Sequence, residues 1–437
     1  MKIQVPEKVN MIIETLLAHG YEAYAVGGCV RDSLLGREAD DWDITTSASP
    51  YEVKELFRRT IDTGIQHGTV TVMLDKDGFE VTTYRIDGEY EDGRHPKEVL
   101  FTKNLEEDLK RRDFTINAMA YNEQTGMVDI FGGVKDLEDK IIRCVGVAGD
   151  RFDEDALRIM RAFRFSAQLG FSIEENTRIA AAERAENLKK ISAERIRVEL
   201  TKLLLSAHPD RLLWMQQNGI TEIVLPEFDE MLATLLQEEG YSYNLGVYTL
   251  AVIGEAGSAG EWSKKELQML KFAALLHSVR GGVAKAKEVM RRLKFDNETT
   301  DMAARLVAAH DNYIELSGSR AENLAAMRHM MHRLGPDMME LLWELQRAQI
   351  VSVNQETVEQ RLAILDEIKS LHREVEANGD CVSLKQLAVN GKDIIGQGAT
   401  PGKQLGEILE QLLQKVLDAP ELNEKEKLLS LAKQHIV

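Results

Sequence analysis

Basic residues are in short supply in this chain. Its 437 residues carry 54 Lys and Arg against 72 Asp and Glu, a formal net charge of −18. That balance argues against a broad, nonspecific nucleic-acid surface, although a local basic stripe can still act inside an acidic molecule. Cysteine is scarce too. Cys29, Cys144 and Cys381 stand apart, with no CxxC pair and no metal-ligand spacing, and a reduced, cytoplasmic compartment is the simplest setting for them. Aromatics reach only 6%, which favours a helix-rich soluble protein over a β-sandwich. No apolar run approaches the ~18 residues of a membrane span, so no membrane partner is expected. The opening MKIQVPEKVNMIIETLLAHG spreads charges among its apolar positions and predicts an amphipathic helix rather than a signal peptide. No internal repeat or low-complexity tract is visible.

What is present is ample apolar material, 44% of residues, and a length that suggests about three domains. The first 145 or so residues hold short alternating runs, EAYAV, GTVTVML and FEVTTYRI, that suit strands. Helical stretches are expected around 6–19, 50–59 and 105–121. From about Asp150 onward the pattern turns almost wholly helical, with short loops and polar or glycine-rich breaks near 377–380 and 390–406. The expected fold class is α+β: a head with a small mixed sheet, followed by an all-α remainder.

The most informative segment is AVGGCVRDSLLGREADDWDITT, residues 25–46. A strand ending at Val26 would let Gly27 and Gly28 bring backbone amides close to a phosphate. Arg31, on the helix that follows, would meet the same group. Asp41 and Asp43 flank Trp42, and alternate residues of a strand share a face. The two carboxylates can therefore share a pair of metal ions that align an attacking hydroxyl and neutralise a leaving group. Glu80, in GFEVTTYRI, sits on a plausible neighbouring strand and could orient or deprotonate that hydroxyl.

GG-x-x-R-D-x-x-L-G followed by D-x-D resembles the nucleotidyltransferase signature of the polymerase β superfamily. More narrowly, the chain resembles the class II CCA-adding enzymes and the bacterial poly(A) polymerases. EEDLKRRDFTINAMA (106–120) is similar to the family's RRDFT-x-N-A motif, which implies phosphate contact for Arg112 and ribose contact for Asp113. RFDEDALRIMRAFRF (151–165) is similar to the next block, in which Asp155 and Arg158 would read the incoming base while Arg161 and Arg164 support the site. The spacing predicts that Asp155, Arg158 and Arg161 share roughly one helical face. The chemistry suits the implied role. Cytosine and adenine each offer an exocyclic amine beside an unprotonated ring nitrogen, matching a carboxylate acceptor and a guanidinium donor. Guanine and uracil reverse that polarity and would leave charged groups mispaired.

The resemblance implies a polymerase-β-like head (1–148), a helical neck for base recognition (149–210), a helical body (211–320) and a tRNA-binding tail (321–437). It implies two Mg2+ ions as cofactor, CTP and ATP as substrates and tRNA as partner, in a monomer or homodimer. SAERIRVEL (192–200) is similar to a block that braces the base-reading helix. Lys392 and Lys403, in the glycine-rich stretch near the C-terminus, would meet an RNA backbone. FAALLHSVR (272–280) is similar to the LLHD of metal-dependent phosphohydrolases, but Ser278 breaks the His-Asp pair and no second hydrolase activity is expected. The segment 85–104, with Arg85, Tyr90, Asp92, Arg94 and Pro96, matches a loop implied to switch C to A addition. Its full length favours complete CCA addition over CC-only, A-only or poly(A) relatives. A catalytically dead RNA-binding scaffold is the alternative of another class.

Overall fold

The computed structural model describes residues 2–39, 41–88, 99–238, 241–316, 318–353 and 357–435. The chain divides into two compact units, Met1–Asp229 and Glu230–Val437.

The first unit opens with α1 (Glu7–Ala18), whose buried Val9, Ile12, Ile13 and Leu16 form one apolar stripe. Strand β1 (Ala23–Val26) follows and is buried along its whole length. Then come α2 (Gly28–Leu34), β2 (Ile44–Thr46), α3 (Pro50–Leu56), β3 (Thr60–Gly64), β4 (Thr69–Leu74) and β5 (Asp77–Thr83). A capping box between Ser49 and Glu52 fixes the start of α3. A small hairpin, β6 (Arg85–Asp87) and β7 (Val99–Phe101), leads to α4 (Leu105–Lys110), β8 (Met119–Asn122) and β9 (Gly126–Asp129). Seven strands make one mixed sheet in the order β3-β4-β5-β2-β1-β8-β9. Within it β2 and β5 run parallel, with Ile44 beside Val81, and β1 lies antiparallel to β2 and β8.

The helix expected over 105–121 stops at Lys110, and residues 119–122 form an internal strand between β1 and β9. Met119, Ala120 and Tyr121 are buried; a run covered on both faces loses the alternation that marks a strand in sequence. Arg111, Arg112 and Asp113 therefore stand in the turn between helix and strand, not on a helix face.

After β9 the chain continues through α5 (Gly133–Glu138), β10 (Ile141–Ile142), α6 (Ala148–Glu154), α7 (Leu157–Leu169), β11 (Ser172–Ile173), α8 (Glu175–Glu183) and α9 (Ala193–Leu204). The break between α6 and α7 falls at Asp155, at φ −142° and ψ 103°. The shared helical face expected for Asp155, Arg158 and Arg161 is therefore interrupted: only the two arginines lie on α7. Two forces account for the break. The Asp155 carboxylate accepts from the Leu157 amide at 3.0 Å, an alternative to continuing the helix, and Arg195 of α9 draws it sideways.

The second unit is helical, apart from a hairpin of Leu235–Glu238 with Tyr241–Asn244 that the sequence pattern did not suggest. Trp343 and Phe272 are among its fully buried side chains. Buried charges are placed at helix ends. Lys271 donates to the carbonyls of Ile253 and Gly254 at the end of helix Leu245–Glu255. Arg328 donates to the carbonyl of Leu417 and pairs with Asp380 at 2.9 Å. Both satisfy carbonyls that a helix leaves unpaired. His277 and His310 close helices. Their rings meet edge to face at 5.2 Å, and burial drives the His277 pKa down to about 4. No helix of the described residues is long and apolar enough to cross a membrane.

Candidate active site

The parallel register of β2 and β5 assembles the carboxylates. Ile44 pairs with Val81, so one step earlier Asp43 stands beside Glu80, and Asp41 precedes Asp43 by two residues, before the strand begins. β2 proper begins at Ile44, but the Asp43 carbonyl still accepts from the Val26 amide at 3.0 Å, which keeps the residue in the sheet's frame. The charges feel one another. Partial burial and then the two aspartates raise the Glu80 pKa. Partial burial and Asp41 raise that of Asp43, against the pull of Arg112.

These hard oxygen donors suit a divalent cation such as magnesium. Among the described residues no group of three or more His, Cys, Asp or Glu is close enough to form a ready cage.

Next to the carboxylates lies an incompletely paired cation. Arg112 is half-buried, and that desolvation lowers its pKa. Its Nη2 stands 3.5 Å from Asp108, and its buried Nε has no partner. Such a group is suited to an anionic ligand. Gly27 makes room for it, because a Cβ there would stand 3.0 Å from Arg112 Nη1. The Gly27 amide itself donates to the Met119 carbonyl at 3.2 Å. Gly27 thus supplies the turn and the space beside Arg112. Arg31 donates to Asp32 at 2.9 and 2.7 Å and to Asn117 at 2.7 Å.

Asn117 in turn donates to Asp113 at 3.1 Å, and Arg161 donates to the other Asp113 oxygen at 2.7 Å. Burial would raise the Asp113 pKa, but Arg161 and Asn117 outweigh it and hold it down at about 2. Arg158 donates to Glu154 at 2.6 Å and to the Arg111 carbonyl at 3.0 Å. Asp155 pairs with Arg195 at 2.7 Å. The two expected base readers thus engage different partners in this state. Arg164 pairs with Glu199 at 2.8 Å, both buried, and lies 3.6 Å from the centroid of the Phe165 ring. Arg195 and Glu199, four residues apart on α9, clamp both the start and the middle of α7.

Several comparisons bear on this arrangement. Residues 23–143 match the family model for a Poly A polymerase head domain. Residues 170–232 match a probable RNA and SrmB-binding site of polymerase A, and 264–432 a tRNA nucleotidyltransferase domain 2. The CCA-adding enzyme of Lactiplantibacillus plantarum is 37% identical over 432 residues, covering 97% of this chain and 94% of the relative. The chain belongs to the CCA-adding enzyme family. The CCA-adding enzyme of Enterococcus faecalis is 36% identical, with 97% and 94% coverage. The crystal structure of the Bacillus stearothermophilus CCA-adding enzyme in complex with CTP superposes with a TM-score of 0.75 at 30% identity, covering 99% of this chain and 98% of that one. A Thermotoga maritima CCA-adding enzyme complexed with tRNA shares the fold, with a TM-score of 0.56 at 21% identity. Metal dependence is general among CCA-adding enzymes.

Sequence reasoning did not single out Asp108, Asn117 or Phe165, whereas Arg195 lies in the SAERIRVEL block expected to brace the base-reading helix. Asn117 belongs to the RRDFT-x-N-A block and carried a signal. The Phe165 ring, 4.9, 5.3 and 3.6 Å from the guanidinium carbons of Arg31, Arg161 and Arg164, carried none, because the convergence is tertiary. Tyr90, Asp92, Arg94 and Pro96 lie outside the described residues. Arg85 donates to the His67 carbonyl at 2.6 Å. Lys392 and Lys403 are exposed in the second unit, Lys403 3.6 Å from Glu407.

Proposed function

We propose that this chain adds C, C and A in turn to the 3′ end of tRNA from CTP and ATP, releasing pyrophosphate at each step. One observation carries the reading. Asp43 and Glu80 each stand one residue before the paired Ile44 and Val81, near an Arg112 whose buried Nε has no partner, in a chain 97% covered by a CCA-adding enzyme.

Asp41 and Asp43 would hold two magnesium ions, which when bound neutralise the charge that builds between the attacking oxygen and pyrophosphate. Glu80 orients the tRNA 3′-hydroxyl and takes its proton, a task that its raised pKa favours. The 3′-oxygen attacks the α-phosphate in line, and the bond to pyrophosphate breaks. Gly28, Arg31 and Arg112 hold phosphates. Asp113, fixed by Asn117 and Arg161, accepts from a ribose hydroxyl. Asp155 and Arg158 face the Watson–Crick edge, accepting from the exocyclic amine and donating to the ring nitrogen shared by C and A. Arg161 and Arg164 brace them. Lys392 and Lys403 contact the RNA backbone. The division into head, neck, body and tail at 148, 210 and 320, action as a monomer or homodimer, and a cytoplasmic setting belong to the same proposal.

The test incubates the protein with magnesium and a tRNA transcript lacking CCA, supplying CTP, ATP, GTP and UTP separately and together. Extension by two nucleotides with CTP, and by three with CTP plus ATP, is expected, with chelation of the metal abolishing both. A stop after two with both nucleotides identifies a CC-adding enzyme. No extension identifies a binding scaffold.

A further inference from the structure

Asp108 bears a charge where there is no solvent. It is 0% exposed, and nothing in the chemistry above uses it. Its Oδ1 accepts from Arg111 Nε and Nη2 at 3.0 and 2.7 Å and from the Arg85 amide at 3.3 Å. Its Oδ2 accepts from the Thr45 hydroxyl at 3.2 Å and faces Arg112 Nη2 at 3.5 Å. Burial pushes this carboxyl up, yet Arg111 and Arg112 overcome it and hold the pKa below the usual range. A carboxylate this deep persists only where its partners are well placed.

The donors come from three elements that the site needs in register. Thr45 lies on β2, two residues after Asp43. Arg85 begins the β6–β7 hairpin. Arg111 and Arg112 form the turn after α4, and the Arg111 carbonyl also receives Arg158 at 3.0 Å. The grip on the two arginines is unequal. Arg111 is tightly bound, whereas Arg112 has one long contact and an unpaired Nε. Asp108 therefore orients Arg112 without saturating it. We propose that Asp108 is a positioning residue that aims the Arg112 guanidinium at the triphosphate of the incoming nucleotide and ties it to β2, which follows directly on Asp43.

The inference rests on Arg112 being a phosphate ligand, and the experiment separates the two ideas. Affinities for CTP and CMP are measured with magnesium for the full-length parent, Asp108→Asn and Arg112→Ala. Asn keeps the shape and an acceptor oxygen but removes the charge. The expected result for Asp108→Asn is a loss of about tenfold in CTP affinity with little change for CMP. A merely structural role would weaken CTP and CMP together, or neither, and would overturn the proposal. If Arg112→Ala keeps the parent's ratio of CTP to CMP affinity, the phosphate role of Arg112 fails. If that variant collapses the ratio and Asp108→Asn does not, the Asp108 inference alone fails. Should Asp108→Asn not fold by circular dichroism, Thr45→Val removes one donor on the side facing Arg112. A fall of about threefold in the ratio supports the proposal, and an unchanged ratio overturns it.

Discussion

At Gly27 the backbone lies at φ 84° and ψ −128°, a region that a residue with a Cβ enters at a cost of about 1–3 kcal/mol. Gly27→Ala should lower stability to urea by that order and, through the clash with Arg112, raise the KM for CTP. An unchanged KM would separate Gly27 from the phosphate site. Asp113 gives a second prediction at this scale. Its pKa falls from 3.8 unfolded to about 2 folded, so the folded state holds its proton more weakly. The stability this contributes is present above pH 4 and is lost as pH falls through about 2. Its size is about 2 kcal/mol at most. In acid titrations followed by denaturant unfolding, Asp113→Asn should lose that part of the pH dependence, and the parent and variant curves should converge near pH 2. Parallel curves would contradict the pairing with Arg161.

Among the elements, the α6–α7 break and the α9 clamp carry the most meaning. Arg195 holds Asp155 at 2.7 Å, and a charge-assisted contact of this kind contributes about 1.5–3 kcal/mol. Arg195→Met should cost stability of that order in thermal unfolding. It should also let Asp155 drift, raising misincorporation of GTP and UTP relative to CTP. Fidelity equal to the parent's would show that Asp155 does not depend on α9.

The elements were legible in the sequence unevenly. The β1 turn with Gly27, Gly28 and Arg31 was legible because a strand, a glycine pair and a helix follow one another locally. The pairing of Glu80 with the DxD carboxylates required only that two strands be neighbours. The break at Asp155 was not legible, because the residue that draws it away stands forty positions later. The strand at 119–122 was hidden for another reason: a fully buried strand and a buried helix read alike by periodicity.

In the molecule as a whole, the acidic balance is spent partly inside. Asp108, Asp113, Glu199 and Glu344 are buried carboxylates, and the first three pair with arginines of the catalytic unit. The second unit holds its own buried cation, Lys271, with a pKa lowered by burial to about 8 from 10.5. Between those values the unfolded chain binds more protons than the folded one, so stability rises with pH. Across pH 8 to 10.5 the parent should gain up to about 3 kcal/mol relative to Lys271→Met, read as the difference in unfolding free energy. A flat difference would show that Lys271 is solvated.

The most direct test of the central claim is the Asp41→Asn, Asp43→Asn double variant, assayed for extension of a tRNA transcript lacking CCA and for binding of the same transcript. The expected result is loss of CTP and ATP addition with tRNA binding retained. Addition at the parent's rate would contradict the account.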